Sequence, residues 1–254
     1  MTLTMAWVRK VGQSEELIIA SDSRLRSLGA WDAAPKIIPL PRKDSAIAFA
    51  GDTNYAYPIM IQVVNSINSW SAALDRRKTL EELKGQIVRV INLMLDQISD
   101  VPRDLKENPS AFFLLAGYDW RSQDFKIWTL HFDQSIDRFT FRPASGWTGG
   151  HAEKKLAIVG DEINEARAVI VEYLRTSEGI KPGHFDMEPM KALAYMVDSE
   201  RFYSIGGNIQ MVKIYKSLQC LPFIVSRKGV RSLFGRPLFE YEKSETIPTL
   251  LLDY

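Results

Sequence analysis

The chain is poor in the residues that most often bind metals or close disulfides, with one cysteine, Cys220, and three histidines among 254 residues. A lone cysteine forms no internal disulfide, which fits a reducing compartment. His131 stands among apolar neighbours with no second histidine or cysteine at ligand spacing. It therefore reads as a structural histidine with its hydrogen bonds satisfied, and no metal or other cofactor is expected. Excess charge is missing as well: 32 Lys and Arg against 31 Asp and Glu leave +1, too little field to draw nucleic acid or an anionic membrane. No apolar run is long enough to span a bilayer and no charged-then-apolar leader opens the chain, so the cytoplasm is the expected compartment. Neither G-x-G-x-x-G nor a Walker pattern occurs, so Gly160, alone before a helix, does not read as a phosphate site. No repeat, low-complexity tract or linker divides the sequence, and residues 1–254 are read as one domain.

What is present is a succession of short apolar runs punctuated by turns. MTLTMAWV, ELIIASDSR, APKIIPL and SAIAFAGDT read as four consecutive strands of one meander, with RKVGQSEE as an exposed turn around Gly12. Ile59, Val63, Ile67 and Trp70 then fall at helical spacing. After the DRRK turn, Thr79 and Glu82 make a capping box for a second helix carrying Leu83, Ile87, Ile91 and Ile98. AFFLLAGYDW, FKIWTLHFD and DRFTFRP are further strands, the first apolar enough to be buried on both faces. KKLAIVG leads into a helix with Asp161 as its N-cap and Ile163, Ala166 and Ile170 on one side. MEPMKALAYMVDSERFY reads as another helix ending near Ser204, followed by the strands SIGGNIQMVKIYK and SLQCLPFIV. The order strands, two helices, strands, two helices, strands is that of an α+β antiparallel sandwich between helical layers. Beyond about residue 227, the basic cluster Arg227, Lys228, Arg231 and Arg236, interleaved with Phe234 and Phe239, reads as a solvated face or a partner contact.

The first strands gather a set of groups with a chemistry. A meander brings Thr2 near Asp22, at the end of the second run, and Lys36, at the head of the third. If Met1 is removed, Thr2 carries both a hydroxyl and an α-amine, whose reference pKa of about 7.7–8 suits a general base. Threonine activated by its own amine needs no histidine. Lys36 would bias that amine toward its neutral form and steady the alkoxide, and Asp22 would keep Lys36 charged and oriented. The N–H groups of Ala48 to Gly51 are candidates for an oxyanion hole. Taken singly, each residue also has a plain role: a terminal threonine, a turn-capping aspartate, a solvated lysine.

Taken together, ASDSR after an apolar run, a lysine shortly after it, and AFAGDT before a long helix resemble the amino-terminal half of a proteasome β subunit. The likeness is closest to the bacterial Anbu type, which also begins Met-Thr and carries ASDSR at this place. AGYD leading into a strand that ends in HFD is a second point of likeness. A third is Asp198 at the junction between the last helix and a glycine-containing strand, where Ser199 and Ser204 are alternative matches for an accompanying serine. Two departures stand out: the RKVGQSEE hairpin is longer than the family's, and Gly160 and Asp161 occupy the place of a serine that helps to hold the amino terminus.

The resemblance covers roughly residues 1–226 and implies a four-layer α/β/β/α sandwich of the N-terminal-nucleophile hydrolases. It implies a threonine-type peptidase with Thr2 as nucleophile, Asp22, Lys36, Asp198 and Ser199 in support, and the Ala48 N–H at the oxyanion. Small residues at Ala34, Ala46 and Ala50 would border the side-chain pocket and hint at an apolar or bulky preference. Expected partners are identical subunits in a ring or open helix, a peptide or unfolded protein as substrate, and an unfoldase to feed it. Two other readings share the fold: a proteasome-like scaffold that assembles without cutting, and a small-molecule amidase.

Overall fold

The computed structural model describes residues 2–26, 29–99, 108–144, 155–176, 185–242 and 244–252. In chain order the strands β1 (Leu3–Val11) and β2 (Ser14–Ser21) form a hairpin, and β3 (Leu25–Arg26) and β4 (Ala30–Trp31) a small arm. Then come β5 (Ile37–Pro39), β6 (Ser45–Gly51) and the helices α1 (Thr53–Asn68), α2 (Ser71–Leu74) and α3 (Leu80–Leu95). β7 (Ala111–Asp119), β8 (Asp124–Asp133), β9 (Arg138–Pro143) and β10 (Leu156–Gly160) precede α4 (Ile163–Thr176) and α5 (Glu188–Asp198). The chain closes with β11 (Gln210–Tyr215), β12 (Gln219–Arg227), β13 (Val230–Leu233), β14 (Arg236–Pro237) and β15 (Thr249–Leu251). This is a mixed α+β protein whose strand pairs are antiparallel, save for β15 alongside β12.

The opening strands do not form a single meander. β1 and β2 lie within an eight-stranded sheet ordered β10-β1-β2-β11-β12-β13-β14, with β15 on β12, whereas β5 and β6 begin a five-stranded sheet ordered β5-β6-β7-β8-β9. Asp22 to Lys36 is thus the passage from one sheet to the other. Period-two alternation explains how the two sheets meet. Ala46, Ala48 and Ala50 share a buried cluster with Ala6, Leu17 and Ile19 of the other sheet, and their neighbours Ile47 and Phe49 pack instead with α1 and α3. On the first sheet Leu3, Met5 and Trp7 turn the other way, toward a cluster with α4 and α5. Alanines on the shared faces let the sheets approach closely. They also leave no room for the pocket that Ala34, Ala46 and Ala50 suggested, since all three are fully buried.

The helices follow from local signals. Thr79 and Glu82 form both halves of the capping box: Thr79 Oγ1 accepts from Glu82 N at 3.2 Å, and Glu82 Oε2 from Thr79 N at 2.8 Å. Asp52 caps α1 by accepting from Asn54 N at 2.8 Å. Two details differ from the sequence reading. The short α2 stands before the DRRK turn, and α5 stops at Asp198 because Ser199 turns to extended backbone (φ −81°, ψ 123°). In β7 Phe112 is exposed while the rest of AFFLL is buried. His131 keeps its place across from Phe112 and Thr140, but its buried Nε2 has no hydrogen-bond partner among the described residues. Burial and the nearby Arg142 guanidinium push its pKa down. Among the described residues no helix is long and apolar enough to cross a membrane.

Candidate active site

The passage between the sheets is built around one carboxylate. Asp22, fully buried just past β2, accepts through Oδ1 from Lys36 Nζ at 2.9 Å and from Leu3 N at 3.0 Å. Through Oδ2 it accepts from Arg24 N and Gly206 N, both at 3.1 Å. Three backbone donors and one ammonium satisfy a charge that would otherwise be very costly to bury. The rest of ASDSR shapes this turn: Ser23 Oγ donates to Asp32 O at 2.7 Å, and Arg24 forks onto the Asp32 carboxylate at 2.7 and 2.8 Å.

Lys36, one residue before β5, is equally buried, and its ammonium also donates to Arg24 O at 2.6 Å. Burial lowers its pKa below that of a free lysine, opposed first by the charge and hydrogen bond of Asp22 and then by the charges of Asp161 and Asp32. Its ammonium therefore lies beside the oxygen that holds the amide next to Thr2, and within electrostatic reach of Asp161. A residue that sequence reasoning missed fixes this geometry. Gln210, heading β11 and fully buried, accepts from Lys36 N at 2.8 Å and Ile37 N at 3.2 Å, and donates to Asp22 O and Ala34 O at 3.0 Å each. Its one signal in the sequence is an uncharged polar side chain at the head of a mostly apolar strand.

Thr2, fully buried, is gripped by the turn after β10. Its N–H donates to Asp161 Oδ2 at 2.8 Å, and its carbonyl accepts from Asp161 N at 2.8 Å. Gly160 allows this approach: it adopts φ +117°, and a Cβ there would stand 1.8 Å from Thr2 O. Asp161 is not the helix cap that its position suggested, because α4 begins at Ile163 and Asp161 lies one residue too early. A cleft of about 260 Å³ opens beside this contact, bordered by Gly160 and Asp161 together with Arg26, Gly51, Asp52 and Thr53. Its border mixes polar and charged groups with Leu25 and Phe112, and Ala34, Ala46 and Ala50 are not part of it.

Ala48 is not placed to meet an oxyanion. Asp52 N donates to Ser110 O and Tyr118 N to Asp44 O, which sets the phase of the β6–β7 ladder. By the alternation of antiparallel pairs, the N–H of Ala48 faces Leu114 within that ladder. The N–H of Gly51 faces the other way, past the last bond to β5, from Phe49 N to Lys36 O at 3.1 Å. Gly51 borders the cleft and Ala48 does not.

The last two expected residues serve elsewhere. Asp198 is held by Arg227 and by Lys228, the latter at 2.6 Å, and these ion pairs lower its pKa against the opposing effect of burial. Part of the basic cluster is therefore an internal partner rather than a free face, as is Arg236 with Glu242. Ser199 Oγ accepts from Arg201 N at 3.4 Å and closes the turn after α5. Ser204, the alternative match, borders a hollow together with Gly160 and Asp161. Among the described residues no group of three or more His, Cys, Asp or Glu is arranged to hold a metal ion. No protein-family model and no curated protein sequence matches the chain.

Proposed function

We propose that this chain is a threonine-type peptidase of the N-terminal-nucleophile class, a proteasome-β-like protein of the Anbu type that works as an assembly of identical subunits. On this reading the two sheets face each other between two pairs of helices as an α/β/β/α sandwich. The clusters that join β6 to β2, β6 to α1 and α3, and β1 to α4 and α5 support that arrangement.

With Met1 gone, the Thr2 amine takes the proton from Oγ1 as that oxygen attacks the carbonyl carbon of a peptide bond. The N–H of Gly51 receives the resulting oxyanion. Collapse of the tetrahedral adduct returns the proton to the leaving amine and leaves an ester on Thr2. Water, deprotonated by the same amine, then hydrolyses that ester, and Oγ1 recovers its proton. Lys36 supplies positive charge to the forming alkoxide, and Asp22 holds Lys36 in place. One observation carries this reading: the Lys36 ammonium and the Leu3 amide share Asp22 Oδ1, at distances of 2.9 and 3.0 Å, while Asp161, which holds Thr2 N, borders a cleft.

The test is intact mass and peptide turnover on protein purified from its own host. Loss of Met1, with turnover that disappears in Thr2→Ala, is the expected result. The full burial of Thr2 favours a second reading, an assembly protein that does not cut. Quantitative retention of Met1 would establish that alternative and end the peptidase reading. Labelling of Thr2 by an electrophile without turnover of any peptide would point to a small-molecule amidase.

A further inference from the structure

The group that meets Thr2 N is an anion. Asp161 accepts that N–H at 2.8 Å, and its own N–H holds the Thr2 carbonyl at 2.8 Å, so residue 2 is clamped at both ends of its backbone by one aspartate. The clamp is built rather than incidental, because Gly160 (φ +117°) leaves no space for any side chain there. While Met1 is attached the donor is a neutral amide. In a chain that begins at Thr2 the same nitrogen is an amine that gains or loses a proton.

The other charged groups around residue 2 come from every side. Lys36 and Asp22 lie at the passage between the sheets, Arg26 and Asp52 border the cleft, and Glu162 and Glu165 border the adjoining hollow that Asp161 also lines. Most of them are already engaged. Lys36 and Asp22 neutralise each other at 2.9 Å. Arg26 donates to Tyr203 O and lies over its ring, and Asp52 caps α1. Asp161 hydrogen-bonds the nitrogen itself.

We propose that Asp161 is the counter-ion of the Thr2 amine, a positioning residue that holds it as an ammonium at neutral pH and so sets the pH above which the enzyme turns over. This rests on the reading that the Thr2 amine is the general base. Lys36 opposes the ammonium and Asp161 favours it. Asp161 prevails because its carboxylate is in direct contact, whereas the charge of Lys36 is matched by Asp22. An opposite charge in contact moves a titration by about 1–3 pH units, so the amine should deprotonate at least about 1 unit above its reference value of about 7.7–8. Asp161 thus keeps the nucleophile oriented but resting, and activity should climb toward alkaline pH.

The experiment uses a chain made to begin at Thr2 by cleavage of a fused leader. Its α-amine is reductively methylated with ¹³C-formaldehyde and cyanoborohydride and titrated by NMR, in parallel with the pH dependence of labelling of the unmethylated chain by a peptidyl epoxyketone. In Asp161→Asn both midpoints should fall by about 1 unit or more relative to the native chain. Asp161→Glu should recover much of the difference, and Asp161→Ser gives the neutral comparison should the asparagine variant fold poorly. Identical amine midpoints in the native chain and the neutral variant overturn the proposal. If labelling proceeds while those midpoints coincide, the counter-ion role fails and the peptidase reading stands. If the midpoints differ as expected but the native chain is never labelled, the pairing stands and the peptidase reading fails.

Discussion

Among the described residues two ion pairs are fully buried, and they differ in everything but burial. Arg42 and Asp44 are two residues apart, joined by a fork of 2.8 and 2.7 Å. Asp44 also accepts from Ser45 Oγ at 2.9 Å, within the short connection from β5 to β6. That pair is local and fixes a turn, and Nη1 of Arg42 is left with no hydrogen-bond partner among the described residues. Lys36 and Asp22 are fourteen residues apart and gather donors from β1, from the turn after β2 and from the segment before β11. The lesson is that burial of charge does not by itself mark a site. Convergence of separate segments on one carboxylate does. The choice of cation fits the contrast: arginine stays charged in any protein environment, whereas a buried lysine can lose its proton.

Substitutions can break this comparison, beginning with the largest expected effect. In the chain that begins at Thr2, Lys36→Met should reduce epoxyketone labelling by about 10²–10³-fold, the usual range for removing a group that stabilises developing negative charge. Arg42→Met should cost a comparable amount of stability, about 3–5 kcal/mol by urea unfolding, yet leave labelling of the folded fraction unchanged. Equal loss of labelling in both variants would erase the distinction between the pairs. Gln210→Leu removes one partner from each of four buried backbone groups, at about 1–3 kcal/mol for any that finds no replacement. It should lower both stability and labelling, linking the two properties at the sheet passage.

A subtler difference should appear in alkali. Burial lowers the pKa of Lys36 below 10.5, so above that lowered value the native state releases a proton that the unfolded state still binds. Unfolding free energy should therefore gain a rising contribution with pH between the native pKa of Lys36 and 10.5, present in Arg42→Met and absent in Lys36→Met. The smallest effect belongs to Asp198→Asn. This partly exposed carboxylate bridges Arg227 and Lys228, and its loss should cost no more than about 1 kcal/mol with labelling intact.

Much of this was legible in the residues themselves. Asp22 and Lys36 follow from ASDSR and the lysine after it, and the amphipathic spacing of Ile59, Val63 and Ile67 or of Leu83, Ile87 and Ile91 gives α1 and α3 their buried sides. What escaped depends on how segments pair in space. Nothing in residues 22–36 tells that the chain leaves one sheet for another. Whether Ala48 or Gly51 presents a free N–H depends on the phase of the β6–β7 ladder, and a shift of one residue reverses the answer. Asp161 looks like a helix cap because aspartate before a helix usually is one; only the pairing of Leu3 with Gly160 brings it to Thr2. Asp198 has the expected spacing, but the early end of α5 and the nearby Arg227 give its charge a closer partner.

The most direct measurement is peptide mapping by mass spectrometry after the chain that begins at Thr2 has been treated with a peptidyl epoxyketone. The account predicts one adduct, on the amino-terminal peptide at Thr2, that is lost in Lys36→Met and kept in Arg42→Met. A folded native chain that stays unmodified, or an adduct on another residue, would contradict it.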